Sequence, residues 1–108
     1  MPIIAMYIEN HVRWNEKLIM RKWGRQMHVL IIEDDQYVQQ FLQTALIRLQ
    51  PSIQIDITES AMEALAIAKS KKIDFFIVDI QLVDFKGTDL VKQIRLLQEY
   101  RFTPIVFE

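Results

Sequence analysis

Val29-Leu30-Ile31-Ile32-Glu33-Asp34-Asp35 and Ile73-Asp74-Phe75-Phe76-Ile77-Val78-Asp79 decide the fold. Each is a short apolar run, rich in β-branched and aromatic residues, that closes in carboxylates. A strand buried on both faces of a parallel sheet reads this way. Parallel strands in an open α/β sheet deliver their carboxyl ends to one edge. Acids that lie far apart in the chain are therefore expected to meet in one pocket, and such a pocket calls for a divalent cation.

The intervening sequence supplies the crossovers. After Asp35, the apolar residues Val38, Phe41, Leu42, Ala45, Leu46 and Leu49 keep helical spacing until Pro51 ends the pattern. Ile53, Ile55 and Ile57 alternate with polar residues, as in a half-exposed strand. Ser60-Ala61-Met62-Glu63 is a capping box, and Ala61, Ala64, Leu65 and Ala68 form the inner face of the helix it opens. Lys69, Lys71 and Lys72 suit the carbonyl pole of that helix as a solvated end. Gly87-Thr88-Asp89 starts a third helix with Leu90, Val91, Ile94 and Leu97 on its apolar side, up to a turn at Glu99-Tyr100-Arg101. Pro104-Ile105-Val106-Phe107 begins a fourth strand. This alternation predicts a doubly wound α/β fold, with helices on both faces of a parallel sheet.

Composition excludes several function classes. The chain has 108 residues, 51% hydrophobic and 25% charged, which fits one globular domain. A formal net charge of -1, with Lys and Arg scattered, gives no footprint for direct nucleic-acid binding. No apolar stretch is long enough to span a bilayer, and no signal-peptide pattern is present, so no membrane association is expected. The absence of cysteine removes thiol and disulfide chemistry and is compatible with a cytoplasmic location. Gly24 and Gly87 are the only glycines, too few for a dinucleotide fingerprint or a P-loop. His11 and His28 lack ligand spacing and are expected to be structural or exposed.

With those classes set aside, the acidic strand ends resemble the receiver domain of bacterial two-component response regulators. The resemblance covers Met27 to Glu108. Ile31-Ile32-Glu33-Asp34-Asp35 is similar to the family's first strand end, and Ile77-Val78-Asp79-Ile80-Gln81-Leu82 to its phospho-acceptor strand end. Gly87 stands where receivers carry a glycine before their third helix, and Pro104 to Phe107 is similar to the start of their fourth strand. The stretch Arg101 to Phe107 also resembles receivers of the LytTR type.

The resemblance implies a flavodoxin-like receiver fold with four strands and three helices present, and with the fifth strand and last two helices missing. It implies that Asp79 accepts a phosphoryl group from a sensor histidine kinase. It further implies that Mg²⁺ is held directly by Asp34, Asp79 and the backbone carbonyl of Gln81, with Glu33 acting mainly through coordinated water. The module would signal rather than act as an enzyme, serving a cytoplasmic phosphorelay and transcription regulation in the intact parent. Asp35 is expected to cap the first helix, and Asp84 and Asp89 to be structural. The Gln81 side chain is equally open to a role in dephosphorylation or to simple exposure.

Three departures from the family matter. The chain ends at Glu108, one residue before the family's hydroxyl position and before its lysine, so switching output and charge compensation are expected to be impaired. Val83 replaces a common proline and is expected to loosen a loop modestly. Residues 1–26 have no counterpart and are expected to form a disordered or helical extension, with Met27 reading as a start residue. The bare sheet edge and apolar surface predict self-association. Two other readings stay open: a receiver-like protein-interaction domain that is not phosphorylated, and a Mg²⁺-dependent phosphohydrolase. The second is disfavoured because Gln81 stands where such an enzyme uses an acid.

Overall fold

The computed structural model describes residues 26–82 and 84–108. The expectations for the extension, save Gln26, and for Val83 and His11 lie outside the described residues. Among the described residues four strands and three helices alternate: β1 (His28–Ile32), α1 (Gln36–Leu49), β2 (Gln54–Thr58), α2 (Ala61–Ser70), β3 (Phe75–Val78), α3 (Gly87–Leu96) and β4 (Ile105–Phe107). A single 3₁₀ turn, Gln98–Tyr100, joins α3 to β4. The strands form one parallel sheet in the order β2-β1-β3-β4. This is the doubly wound, flavodoxin-like arrangement that the sequence predicts.

The two apolar runs become the central strands because nothing in them needs water. Val29 to Ile32 and Phe76 to Val78 are completely buried, and the strand alternation sends their side chains into two cores. Leu30, Ile32, Phe76 and Val78 face α2 and α3, where they meet Ala61, Ala64, Ala68, Leu90 and Ile94. Val29, Ile31, Phe75, Ile77 and Val106 lie on the other face with Leu42 and Leu46 of α1, and Ile53, Ile55 and Ile57 border that core.

Local chemistry sets where the helices begin. Asp35 caps α1 as expected, its Oδ1 accepting from the Tyr37 and Val38 amides at 2.8 and 3.3 Å. Ser60 caps α2 by accepting from the Glu63 amide at 3.2 Å. The reciprocal arm of the expected capping box is replaced: the Ser60 amide donates to Thr58 Oγ1 at 3.2 Å. Asp84 completes the cap from across the chain. Its carboxylate accepts from Ser60 Oγ and from the Ala61 amide, each at 3.0 Å, and from the Met62 amide at 3.4 Å. These bonds hold the Asp84 carboxyl below its ordinary value, the Ala61 amide contributing most.

The turn at Tyr100 is also a core post. Tyr100 is 2% exposed, and its ring meets Phe76 edge-on with centroids 5.1 Å apart. Its hydroxyl donates to the Ala68 carbonyl at 2.5 Å or to the Lys71 carbonyl at 2.7 Å, and accepts from the Ile73 amide at 3.3 Å. It thereby closes the end of α2 onto the start of the β3 segment. His28 has a structural role: its Nε2 lies 2.6 Å from Asp56 Oδ2, which also receives Lys71 Nζ at 3.0 Å. Burial alone would raise the Asp56 carboxyl, yet Lys71 and His28 together hold it below its ordinary value. Among the described residues, no helix is long and apolar enough to cross a membrane.

Candidate functional site

Strand register builds the site. Ile32 pairs with Val78, and Val78 pairs with Phe107, so the next residues along β1, β3 and β4 are Glu33, Asp79 and Glu108. Backbone bonds continue the ladder to these positions: the Asp79 amide donates to the Ile32 carbonyl at 2.9 Å and the Glu108 amide to the Val78 carbonyl at 3.1 Å. A period of two sends all three side chains towards the α1 face of the sheet edge. One carboxylate oxygen from each lies within 4.8 Å of the others.

The expected residues are therefore brought together in part. Glu33, only 3% exposed, is held by the Asp35 amide, which donates to its Oε1 at 2.9 Å. Gln39 Nε2 donates to the Glu33 carbonyl at 2.6 Å and ties the strand end to α1. Asp34 is exposed but near enough to Asp79 for its charge to act on it. Gln81 is exposed and contributes its amide, which donates to Asp79 Oδ1 at 3.0 Å. Its backbone also forms an isolated antiparallel bridge with Lys86.

Glu108 is the residue that sequence reasoning missed. Its signal was the one that marked Glu33 and Asp79, a carboxylate closing an apolar strand, but it was read only as the end of the chain. Both of its carboxylate oxygens are sealed from solvent and accept no hydrogen bond among the described residues.

Electrostatics follow from this crowding. Burial raises the Asp79 carboxyl above its ordinary value, the charges of Asp34 and Asp35 add to the rise, and the Gln81 amide partly opposes it. Burial pushes Glu108 up to about 7. Among the described residues, the ion pairs formed by Lys and His side chains converge on Asp56 and not on this cluster. A set of hard carboxylate oxygens that, among the described residues, forms no ion pair with a Lys, Arg or His side chain suits Mg²⁺ or Ca²⁺ better than a soft metal. The orphaned Glu108 oxygens make the same demand for positive charge.

The loop after Asp79 is folded tightly back. The Gly87 amide donates to the Ile80 carbonyl at 2.8 Å, and the Leu82 amide to the Phe85 carbonyl at 3.2 Å. Gly87 is buried where α3 starts, and a Cβ there would lie 2.0 Å from the Asp79 carbonyl oxygen. Only glycine admits this approach.

A family model described as the response regulator receiver domain matches residues 29–107. Among solved structures, the chemotaxis response regulator CheY4 of Vibrio cholerae is similar at 26% identity with a TM-score of 0.70, covering 77% of this chain and 68% of its own. A CheY-like receiver domain from Methylobacillus flagellatus has 29% identity and a TM-score of 0.68, covering 77% of this chain and 69% of its own. The phosphorylated cyanobacterial phytochrome response regulator RcpA shares the fold at 19% identity and a TM-score of 0.70, covering 77% and 64%. The chain thus spans about two thirds of the length of these structures. A search of curated proteins finds no match.

Proposed function

Because this chain belongs to the response regulator receiver domain family, a family of signalling modules, we propose that Asp79 is its phospho-acceptor. The reading is carried by one observation: Glu33 and Asp79, closing neighbouring parallel strands, bring carboxylate oxygens within 4.8 Å at one sheet edge. Glu33, Asp34, Asp79 and the Gln81 carbonyl would hold Mg²⁺. When bound, the ion offsets the acids' mutual repulsion and the charge on the phosphoryl oxygens.

The chain's own part in the reaction is positioning. The Gln81 amide ties Asp79 Oδ1, which leaves Oδ2 as the attacking oxygen. That oxygen forms a bond to phosphorus as the phosphorus–nitrogen bond of a phosphohistidine breaks. The histidine nitrogen keeps the electron pair and takes a proton, and Asp79 becomes an acyl phosphate. Gly87 and the folded loop fix the Asp79 backbone, so that little reorganisation accompanies the transfer. The donor is a sensor histidine kinase, the setting is a cytoplasmic phosphorelay, and the intact parent regulates transcription, in line with the LytTR-like stretch Arg101 to Phe107. The module accepts a phosphoryl group and does not turn over as a dedicated enzyme.

Incubation with acetyl phosphate and Mg²⁺, followed by intact mass measurement, tests the reading. A labile single phosphoryl adduct on the wild type that is lost in Asp79→Asn supports it. An unmodified wild type favours a receiver-like interaction domain, and continuous phosphate release favours a phosphohydrolase.

A further inference from the structure

Glu108 combines two properties that rarely coexist in a stable fold. Both side-chain oxygens are sealed from water, and among the described residues neither accepts a hydrogen bond. A buried ionised carboxylate is strongly destabilising unless it meets a cation or donors. The neighbouring acids differ in this respect: Glu33 takes the Asp35 amide and Asp79 takes the Gln81 amide. Glu108 is also fixed in place, because its amide extends the β3–β4 ladder by bonding the Val78 carbonyl. Its backbone position beside those of Glu33 and Asp79 therefore follows from strand register.

The space between these three acids suits one small ion. Oxygens around a single Mg²⁺ at about 2.1 Å lie roughly 3 to 4 Å apart. Oxygens from Glu33, Asp79 and Glu108 lie within 4.8 Å of one another. An amide or a water could satisfy one Glu108 oxygen, but neither would neutralise three converging carboxylates.

We propose that Glu108 is itself a ligand of a hard divalent cation, joining Glu33 and Asp79 from a third strand. The proposal rests on the cation site of the preceding reading and adds to it a residue from β4's end. Three neighbouring strands then grip one ion, and binding fastens the edge strand β4 to the centre of the sheet.

Mn²⁺ titration of the full chain, followed by electron paramagnetic resonance of the free ion, tests this. Wild type, Glu108→Gln, Glu108→Asp and Asp79→Asn are compared, with circular dichroism confirming that each is folded. The expected result is a Kd for Mn²⁺ raised about ten-fold or more in Glu108→Gln, with partial recovery in Glu108→Asp, which keeps the charge. Mn²⁺ should also raise the wild-type melting temperature by more than that of Glu108→Gln. Wild-type affinity in Glu108→Gln, alongside lost affinity in Asp79→Asn, would overturn the role of Glu108 and leave the phospho-acceptor reading standing. No Mn²⁺ binding by any form would overturn both.

Discussion

Gly87 lies against the backbone of Asp79 so closely that a Cβ on it would sit 2.0 Å from the Asp79 carbonyl oxygen and 2.9 Å from its carbonyl carbon. The obstacle is backbone, which no side-chain rotation relieves. The start of α3 and the strand end that carries Asp79 are therefore locked to each other. Gly87→Ala is expected to cost about 1–3 kcal/mol of stability, as overpacking commonly does, and to slow labelling by acetyl phosphate. Thermal melts with timed mass measurements check this; wild-type values for both would contradict the close approach.

Tyr100→Phe keeps the edge-on contact with Phe76 but removes the hydroxyl that serves Ala68, Lys71 and Ile73. Leaving such buried groups unmatched is expected to cost about 1–3 kcal/mol. Mn²⁺ affinity should not change, because the residue lies at the far end of β3 from the acids. Urea unfolding and the Mn²⁺ titration read the two effects separately.

Asp84 and Ser60 share the α2 amino terminus, and each also bonds the other. Ser60→Ala is expected to cost about 1 kcal/mol. Asp84→Ala should lower the melting temperature as well. Residues in one hydrogen-bond network do not contribute additively, so the double variant should lose less than the two single losses combined. Additive losses in a double-mutant cycle would show that the two residues act independently.

Glu108 should leave a pH signature in cation-free buffer. Its folded carboxyl titrates at about 7 against an ordinary value of 4.5. Between those values the folded chain holds a proton that the unfolded chain releases. This group's contribution is therefore fully present below 4.5 and is lost as pH rises through about 7. Glu108→Gln cannot lose that proton, so its melting temperature should gain on that of the wild type as pH rises across this window. Parallel curves for the two proteins would contradict the burial of Glu108.

Much of this was legible because it is local. Val29 to Ile32 and Phe75 to Val78 have no polar side chain and can only be inner strands. Asp35 sits immediately before an amphipathic period and caps it. Ile53, Ile55 and Ile57 report one face of an edge strand by alternation alone. The convergence of Glu33 with Asp79 followed from the rule that parallel strands end at one edge.

What escaped depends on contacts between distant segments. Asp84 reaches a helix start 23 residues earlier in the chain, and no local pattern announces that partner. Tyr100 looked like part of a polar turn because Glu99 and Arg101 flank it, yet its ring fills the core while its hydroxyl remains bonded. Glu108 carried the strand-end signal, but its part in the pocket depends on the pairing of β4 with β3.

The central claim, a phosphoryl group carried on the Asp79 carboxylate, is tested most directly by borohydride reduction of acetyl phosphate-treated protein followed by peptide mass mapping. Reduction converts an aspartyl phosphate to homoserine and leaves unmodified aspartate intact. Homoserine at position 79 alone, formed only when Mg²⁺ is present, is the expected result. Homoserine at another acid, or none in a folded and cation-loaded chain, would contradict it.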